Sequence, residues 1–273
     1  MINADSQQVY ADLRILSARP SEEEKGGIEH RLFGTWDGAT ACSAADWAAE
    51  AKREIARCHA EDAVPILVGG TGLYLRTLLD GIAPIPAIDP AVREAVRAMS
   101  TDDARTALEQ EDAAAAQRLH PADAARTMRA LEVVRATGRT LAEWQSRKEG
   151  GIGDGIDLNT AILLPPRDRL YERCDRRFAQ MLDEGAVREV EALMARRLDP
   201  ALPVMRAIGV PEIATLLSGE LSRDEATTRG QTATRQYAKR QYTWFRHQPP
   251  NEWTRFGCES YDETVVFARL LHK

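Results

Sequence analysis

Residues 64–74 read VPILVGGTGLY, an apolar run that is followed by a glycine-rich turn and the start of a helical pattern. A short, nearly continuous apolar run is typical of a strand that is buried in a parallel sheet. Two further runs of this kind, residues 2–5 and 160–164, are also followed by a turn and a helical pattern. The alternation predicts an α/β fold with a mainly parallel sheet, in which ligands collect at the carboxyl ends of the strands.

A helical pattern fills the middle of the chain. From residue 90 to about residue 150, apolar residues recur at helical spacing and β-branched runs are few. Gly138 is placed to end one helix, and Thr140-Leu-Ala-Glu143 has the spacing of a capping box that begins the next. We therefore predict an α/β core formed by residues 1–90 and 160–273, with a helical insertion at residues 91–159.

The composition predicts a cytoplasmic chain with a substantial core. Hydrophobic residues make up 44% of the 273 positions, yet no stretch approaches the ~20 consecutive apolar residues that span a bilayer. The start, MINADSQQVY, lacks the basic and apolar regions of a signal peptide. Four widely spaced cysteines predict neither a disulfide framework nor a zinc site. They are Cys42, Cys58, Cys174 and Cys258.

The glycine-rich turn predicts an anion site. Gly69-Gly70-Thr71-Gly72 follows a strand and opens a helix, so its backbone N–H groups and the helix dipole can face a negative charge. The Thr71 hydroxyl is expected to point into the same site. A tight connection that binds no ligand fits these residues equally well.

Asp5 ends the first predicted strand, so its carboxylate is expected in the same crevice, where it can accept a proton. The alternative role is a cap that accepts N–H groups of the following residues. Ser6, Gln7 and Gln8 come next, and they carry neutral hydrogen-bonding groups of the sort that read base edges.

A basic segment lies near the carboxyl end of the chain. The net charge of −6 argues against indiscriminate nucleic-acid binding, but residues 230–251 contain no Asp or Glu. Tyr237 and Trp244 share one face of a helix there. Basic groups interleaved with aromatic rings suit an RNA backbone with unstacked bases, whereas the alternative is a solvated helix with its aromatic rings in the core. Helical spacing places four residues along another face: Arg235, Lys239, Tyr242 and Arg246.

Five segments, taken in order and spacing, resemble the bacterial tRNA dimethylallyltransferase family. They read NADSQQVY, VGGTGLYLRTLLDGI, HPADAARTMRALEV, MRAIGVPEI and TRQYAKRQYTWFRHQ, and they extend over nearly the whole chain. The resemblance implies a P-loop-NTPase-like parallel sheet core, here without its first strand and P-loop, and an inserted all-helical domain that grips the anticodon stem-loop of tRNA.

The resemblance implies transfer of a dimethylallyl group from dimethylallyl diphosphate to N6 of the adenine adjacent to the anticodon, with release of diphosphate and with Mg²⁺ as cofactor. Asp5 then accepts the N6 proton, and Arg206 pairs with the diphosphate. Thr71 lines the reaction channel. The implied channel glycines are Gly69, Gly70 and Gly72, and the implied tRNA-binding residues are Ser6, Gln7, Gln8, Ala125, Arg126, Thr127, Met128, Arg129, Lys239, Arg240, Gln241 and Arg246.

Three features depart from the family pattern. The family begins with a strand, a G-x-x-x-x-G-K-[ST] loop and a helix, whereas Met1 stands almost directly before the NADS motif and no lysine follows a glycine. Val210-Pro211 stands where many members carry a tyrosine and a basic residue, and residues 13–20 match a DIGTAKP-like stretch weakly. We expect impaired activity because the phosphate-binding loop is missing, and reduced stability because sheet edge and apolar surface are left uncovered.

Two other functions fit parts of the sequence. An adenylate isopentenyltransferase prenylates free nucleotides with similar core motifs, but the helical insertion and the basic segment favour a tRNA acceptor. A tRNA-binding protein without catalysis fits the missing phosphate loop. We expect a monomer whose partners are tRNA and dimethylallyl diphosphate, with no membrane association.

Overall fold

The structure is a computed structural model that describes residues 1–257 together with Val266 and Ala268. It divides into an α/β unit, Met1–Leu78 with Ile156–Lys273, and a helical unit, Leu79–Gly155. Short 3-10 turns occupy Gly153–Gly155 and Pro203–Arg206. In chain order the strands and helices are β1 (Ile2–Asn3), α1 (Ala44–Ala60), β2 (Leu67–Val68), α2 (Gly72–Asp80), α3 (Pro90–Arg97), α4 (Thr101–Glu111), α5 (Ala113–Arg118), α6 (Ala124–Thr137), α7 (Leu141–Gln145), β3 (Ala161–Leu163), α8 (Arg167–Glu184), α9 (Ala186–Ala195), α10 (Val210–Leu217), α11 (Arg223–His247) and β4 (Thr254–Phe256).

Two small parallel sheets give the α/β unit its strand structure. β1 pairs with β2, with Ile2 opposite Leu67 and Asn3 opposite Val68. β3 pairs with β4 over three residues, starting with Ala161 opposite Thr254. The predicted α/β class with parallel strands is confirmed, although the paired segments are shorter than the apolar runs in the sequence.

The apolar run at residues 64–68 is more exposed than predicted. Val64 is 74% exposed, Ile66 37% and Val68 44%. The chain around β2 is bonded along one edge, where Ile2 N–H donates to the Ile66 carbonyl at 2.8 Å, and no second strand among the described residues pairs with it. The prediction of burial was wrong here, because an apolar run does not by itself determine whether a second strand pairs beside it and covers it.

Buried hydrogen bonds fix the chain where β1 ends. Trp47 of α1 is fully buried, stacks on Tyr74 with ring centroids 4.6 Å apart, and donates from Nε1 to the Asn3 carbonyl at 2.8 Å. Asn3 is itself fully buried, and its amide donates to the carbonyls of Asp5 and Leu32, both at 3.0 Å. Because buried polar groups are costly unless they are bonded, these contacts hold the backbone that leads into Asp5.

The helical unit begins and ends earlier than predicted, at Leu79 and Gly155 rather than at residues 91 and 159. Ile82 and Glu149 exchange two backbone hydrogen bonds of 3.0 Å, which tie the segment before α3 to the end of the unit. This pairing carries no hydrophobic periodicity, so the sequence pattern does not reveal it. The core of the unit consists of Val96, Ala104, Leu108, Ala115, Ala116, Ala130 and Leu131.

Helix ends in this unit follow the sequence signals. Gly138 adopts a left-handed conformation with φ of 68° directly after α6, which glycine tolerates without strain. Thr140 and Glu143 form the capping box that begins α7.

No helix among the described residues is both long enough and apolar enough to cross a membrane. Three of the described cysteines are free thiols: Cys42, Cys58 and Cys174. Cys258 lies outside the described residues.

Candidate active site

Asp5 lies at the carboxyl end of β1, with its carboxylate held by the backbone. Its N–H donates to Oδ1 of Asn3 at 2.8 Å, and its own Oδ1 accepts from the N–H of Gln7 at 2.8 Å. The second bond is of the capping type that the sequence left open, but turns rather than a helix follow at residues 6–9. The capping bond therefore orients the carboxylate instead of starting a helix.

Competing effects act on the acidity of this carboxyl. Burial raises the pKa of Asp5, while the N–H groups of Gln7 and Gln8 and the positive charge of Arg177 oppose that rise. A raised pKa makes a carboxylate a stronger base, and nearby donors keep it ionised. Arg177, in α8, was missed at the sequence level because it has the spacing of an ordinary surface arginine on an amphipathic helix.

Thr71 joins the glycine-rich turn to the Asp5 segment. The Thr71 hydroxyl accepts from the N–H of Ser6 at 2.9 Å and donates to the Ser6 hydroxyl at 3.2 Å. The Thr71 N–H donates to the carbonyl of Ala4 at 3.1 Å. The structure thus brings Asp5, Ser6 and Thr71 together, as the strand-end argument predicts.

Each predicted channel glycine makes room for another part of the chain. A Cβ on Gly69 would lie 2.2 Å from the backbone of Ala4. On Gly70 it would meet the Gln241 side chain at 2.2 Å, and on Gly72 it would meet the Trp244 ring at 2.4 Å. The glycines are therefore required by internal packing, and their part in a reaction channel stays a prediction.

The face of α11 that contacts the glycine-rich turn carries Tyr237, Gln241 and Trp244. The Gln241 amide donates to the Gly70 carbonyl at 2.9 Å, and the Trp244 ring covers Gly72. The Tyr237 hydroxyl lies beside those of Ser6 and Thr71, and burial, together with the charge of Asp5, raises the pKa of Tyr237. The sequence placed Tyr237 and Trp244 on a common face, but their spacing did not indicate the site that they cover.

The basic residues of α11 fall into two groups. Lys239, Arg240 and Arg246 are exposed. Arg235 instead bonds to Asp175 of α8 at 2.5 Å and has a side chain only 33% exposed. Three of the predicted basic contacts are therefore accessible to a ligand, whereas Arg235 serves to hold α8 and α11 together.

Two other predicted ligand residues bond to backbone carbonyls of the protein, Gln8 through two hydrogen bonds and Arg206 through one long one. The Gln8 amide donates to the carbonyls of Ser17 and Ala18, both at 3.0 Å. Arg206 is exposed on its 3-10 turn, and its Nε donates to the Pro200 carbonyl at 3.4 Å. The described contacts of Arg206 do not include Asp5 or the glycine-rich turn, so its proximity to them stays a prediction.

The predicted RNA-binding residues at the start of α6 point in different directions. Ala125 and Arg126 are exposed, and Arg126 pairs with Asp123 at 3.2 Å. Thr127 is only 1% exposed, and Met128 packs against the core of the helical unit. Thr127 therefore cannot meet a surface ligand in this conformation, which corrects the expectation for it, whereas Met128 is partly buried and its contact with RNA stays a prediction. Arg129 has 42% of its side chain exposed.

The described residues contain no group of three or more His, Cys, Asp or Glu side chains that could hold a metal ion. Mg²⁺ is often bound by one or two carboxylates together with substrate phosphates, so its presence as a cofactor stays a prediction.

Known proteins resemble this chain over most of its length. A family model described as IPP transferase matches residues 8–248. A tRNA dimethylallyltransferase of Erythrobacter litoralis is 67% identical over 270 residues, which cover 99% of this chain and 85% of the relative. That of Novosphingobium aromaticivorans is 63% identical over 271 residues, which cover 99% of this chain and 96% of the relative. The crystal structure of a tRNA isopentenylpyrophosphate transferase from Bacillus halodurans aligns with a TM-score of 0.68 at 30% identity, covering 97% of this chain and 84% of that chain.

Proposed function

The chain belongs to the IPP transferase family, and we propose that it transfers a dimethylallyl group from dimethylallyl diphosphate to N6 of the adenine adjacent to the anticodon in tRNA. Relatives that are 63 and 67% identical to it are named tRNA dimethylallyltransferases. One structural observation carries the proposal: the Asp5 carboxylate is oriented at the end of β1, and burial raises its pKa.

In the proposed reaction the N6 nitrogen attacks C1 of the dimethylallyl group while the bond from C1 to the diphosphate oxygen breaks. The electron pair of that bond leaves with the diphosphate, and the N6 proton passes to the Asp5 carboxylate. An exocyclic amine is a poor nucleophile until its proton is taken as the new bond forms, and a positioned base contributes roughly 10²- to 10⁴-fold to the rate.

The departing diphosphate needs positive charge and hydrogen-bond donors. We propose that Arg206 supplies one cation, since its guanidinium is exposed. Mg²⁺ is proposed to accompany the diphosphate, held mainly by phosphate oxygens as is usual for this ion. When bound, the ion neutralises charge on the leaving group.

The proposed tRNA contacts divide between the two units. In the α/β unit, Lys239, Arg240 and Arg246 are exposed along α11 and suit phosphates of the anticodon stem-loop. Ser6 and Gln7 follow Asp5 and suit the edge of an extruded base, whose removal from the stack costs a few kcal/mol. In the helical unit, Arg126 suits a phosphate because its side chain is 77% exposed.

We propose a P-loop-NTPase-like core for the α/β unit. Its strands pair in parallel, and a glycine-rich turn joins β2 to α2, as in folds that bind phosphates at strand ends. The helical unit is proposed to be the insertion that grips the stem-loop, and the protein is proposed to act as a monomer.

The test is transfer of label from radioactive dimethylallyl diphosphate to unmodified tRNA, with AMP as a competing acceptor. We expect label in tRNA and a loss of roughly 100-fold or more in Asp5→Asn, whose amide cannot take the proton. Asp102→Asn is the matched control, because this aspartate is exposed at the start of α4. Labelled AMP would indicate a free-nucleotide enzyme, and binding of RNA without transfer would indicate a non-catalytic protein; either result overturns the proposal.

A further inference from the structure

A buried carboxylate connects two exposed arginines in the helical unit. The side chain of Glu132, in α6, is 5% exposed. Its Oε1 lies 3.2 Å from Nε of Arg97 in α3, and its Oε2 lies 3.5 Å from Nη1 of Arg129 in α6. The side chains of Arg97 and Arg129 remain 64% and 42% exposed, respectively. One carboxylate therefore holds arginines from two different helices at the surface.

The backbone beneath this cluster is rigid. Val96 and Leu131, the residues directly before Arg97 and Glu132, are both fully buried in the core of the helical unit. Because packed interiors tolerate little displacement, α3 and α6 hold the two arginines at a fixed separation. This fixed spacing distinguishes the cluster from arginines on loops or frayed helix ends.

The hydrogen bonds leave the outer edges of both arginines available. Arg97 uses its Nε towards Glu132, and Arg129 uses Nη1. Among the described residues neither guanidinium has another side-chain partner, so both terminal nitrogens of Arg97 and Nη2 of Arg129 can donate to a ligand. Guanidinium groups bind phosphate oxygens through such paired donors.

A contribution to fold stability does not by itself explain why a carboxylate is buried between these two arginines. A buried carboxylate loses hydration, and an ion pair recovers that cost only when its geometry is good. Here one partner lies at 3.5 Å, and the side chains of Arg97 and Arg129 are 64% and 42% exposed, which reduces the stabilisation that the pairs provide. A well-packed apolar residue would serve the core of α6 as well, whereas only an acid can orient both arginines.

We propose that Arg97 and Arg129 together bind a phosphodiester of the RNA, and that Glu132 is the positioning residue that directs both guanidinium groups towards it. This inference rests on the proposed function only in taking RNA as the ligand. It assigns a role to Arg97, which lies outside the five family-like segments, and to Glu132, which lies within the third segment but was given no role there.

The direction in which Glu132→Gln changes RNA affinity distinguishes positioning of the arginines from long-range electrostatic attraction. Glu132→Gln removes a negative charge near the phosphate site, so long-range attraction alone predicts tighter RNA binding. Positioning predicts weaker binding, because the glutamine amide keeps only one acceptor oxygen and turns a donor towards the other arginine, so the two guanidinium groups are no longer held together. We expect Glu132→Gln and Arg97→Ala each to weaken binding of an unmodified anticodon stem-loop RNA roughly 3- to 10-fold, as for loss of a partly exposed charged contact.

Fluorescence anisotropy across a salt series measures both affinity and the number of phosphate contacts. Arg97→Ala should reduce the slope of log affinity against log salt by about one contact. Arg97→Lys keeps the charge but cannot reproduce the Nε contact and the outward pair of donors, so it should rescue only part of the affinity. The matched control is Arg118→Ala, which removes an exposed arginine from α5 of the same unit.

Thermal melting of each variant shows whether the helical unit still folds. Reduced affinity at an unchanged Tm supports the proposal. Tighter RNA binding by Glu132→Gln, or equal losses of RNA affinity in Arg97→Ala and Arg118→Ala, overturns the inference. Neither result bears on the proposed function, which prenyl transfer by the wild type tests separately. Failure of the wild type to bind the stem-loop overturns both this inference and the proposed function.

Discussion

Replacing Gly69 with alanine tests whether the glycine-rich turn is built for the packing of the chain on itself. The added Cβ would lie 2.2 Å from the carbonyl carbon of Ala4, 2.3 Å from its oxygen and 2.7 Å from its Cα. The optimal separation of non-bonded carbon atoms is about 3.5–4.0 Å. Because the obstructing atoms are backbone, no side-chain rotation relieves the overlap, and the turn must move away from Ala4 by roughly 1 Å.

That movement weakens two hydrogen bonds and adds strain. The Ala4 N–H donates to the Val68 carbonyl at 2.8 Å, and the Thr71 N–H donates to the Ala4 carbonyl at 3.1 Å. Losing both costs about 1–3 kcal/mol, and overpacking adds about 1–3 kcal/mol. With about 2–4 °C of Tm per kcal/mol in a protein of this size, Tm should fall by roughly 5–20 °C. A 1 Å displacement of Thr71 should also slow prenyl transfer about 10²-fold.

Calorimetric melting and single-turnover prenyl transfer measure the two effects. Gly70→Ala is the matched control, because its Cβ meets the end of the flexible Gln241 side chain at 2.2 Å. Rotation of that side chain removes the overlap and forfeits the 2.9 Å bond to the Gly70 carbonyl, a loss of about 1 kcal/mol. If Gly69→Ala melts no lower than Gly70→Ala, the contact with Ala4 is not the constraint that fixes the turn, and the reasoning is refuted.

Three further substitutions test two residues of the site, Asp5 and Tyr237, and one carboxylate elsewhere in the α/β unit, Glu189. Burial raises the pKa of Asp5 above its ordinary value of 3.8, so the stability it contributes is present below pH 3.8 and is lost as the pH rises through its folded-state pKa. Asp5→Asn should therefore raise Tm at neutral pH relative to the wild type, and the difference between the two Tm values should shrink as the pH falls. Melting curves over a pH series measure this difference, and a difference that stays constant in acid contradicts the prediction. Tyr237→Phe removes a hydroxyl beside those of Ser6 and Thr71 and should lower kcat roughly 3- to 10-fold with little change in Tm; steady-state kinetics that show an unchanged kcat would exclude this role. Glu189 accepts the N–H groups of Arg14, Ile15 and Leu16 at 2.5 to 2.9 Å, so Glu189→Gln should lower the free energy of unfolding by about 2 kcal/mol, and a urea titration superimposable on that of the wild type would disprove it.

Local signals in the sequence were sufficient where a few neighbouring residues determine the outcome. Gly138 and the Thr140 capping box end and begin helices as predicted, because each acts through residues within one helical turn. The carboxylate of Asp5 lies at the end of a parallel strand as predicted. The predictions for Thr127 and for Val64 failed, since both depend on what packs against them. Thr127 follows an exposed arginine yet faces the core, and Val64 belongs to an apolar run yet is 74% exposed.

The inward face of α11 shows why the remainder required the structure. Helical periodicity groups Tyr237 with Trp244, but both faces of this helix mix polar and apolar groups, so periodicity alone cannot identify the buried one. The buried face is the one that packs against the glycine-rich turn. This contact joins distant parts of the chain, since Gln241 and Gly70, which share a hydrogen bond, are 171 positions apart. Gly70 and Gly72 leave the space that Gln241 and Trp244 fill. Turn and helix therefore specify each other. A side chain added at Gly72, which would meet the Trp244 ring at 2.4 Å, should shift α11 together with the basic residues that it presents to RNA.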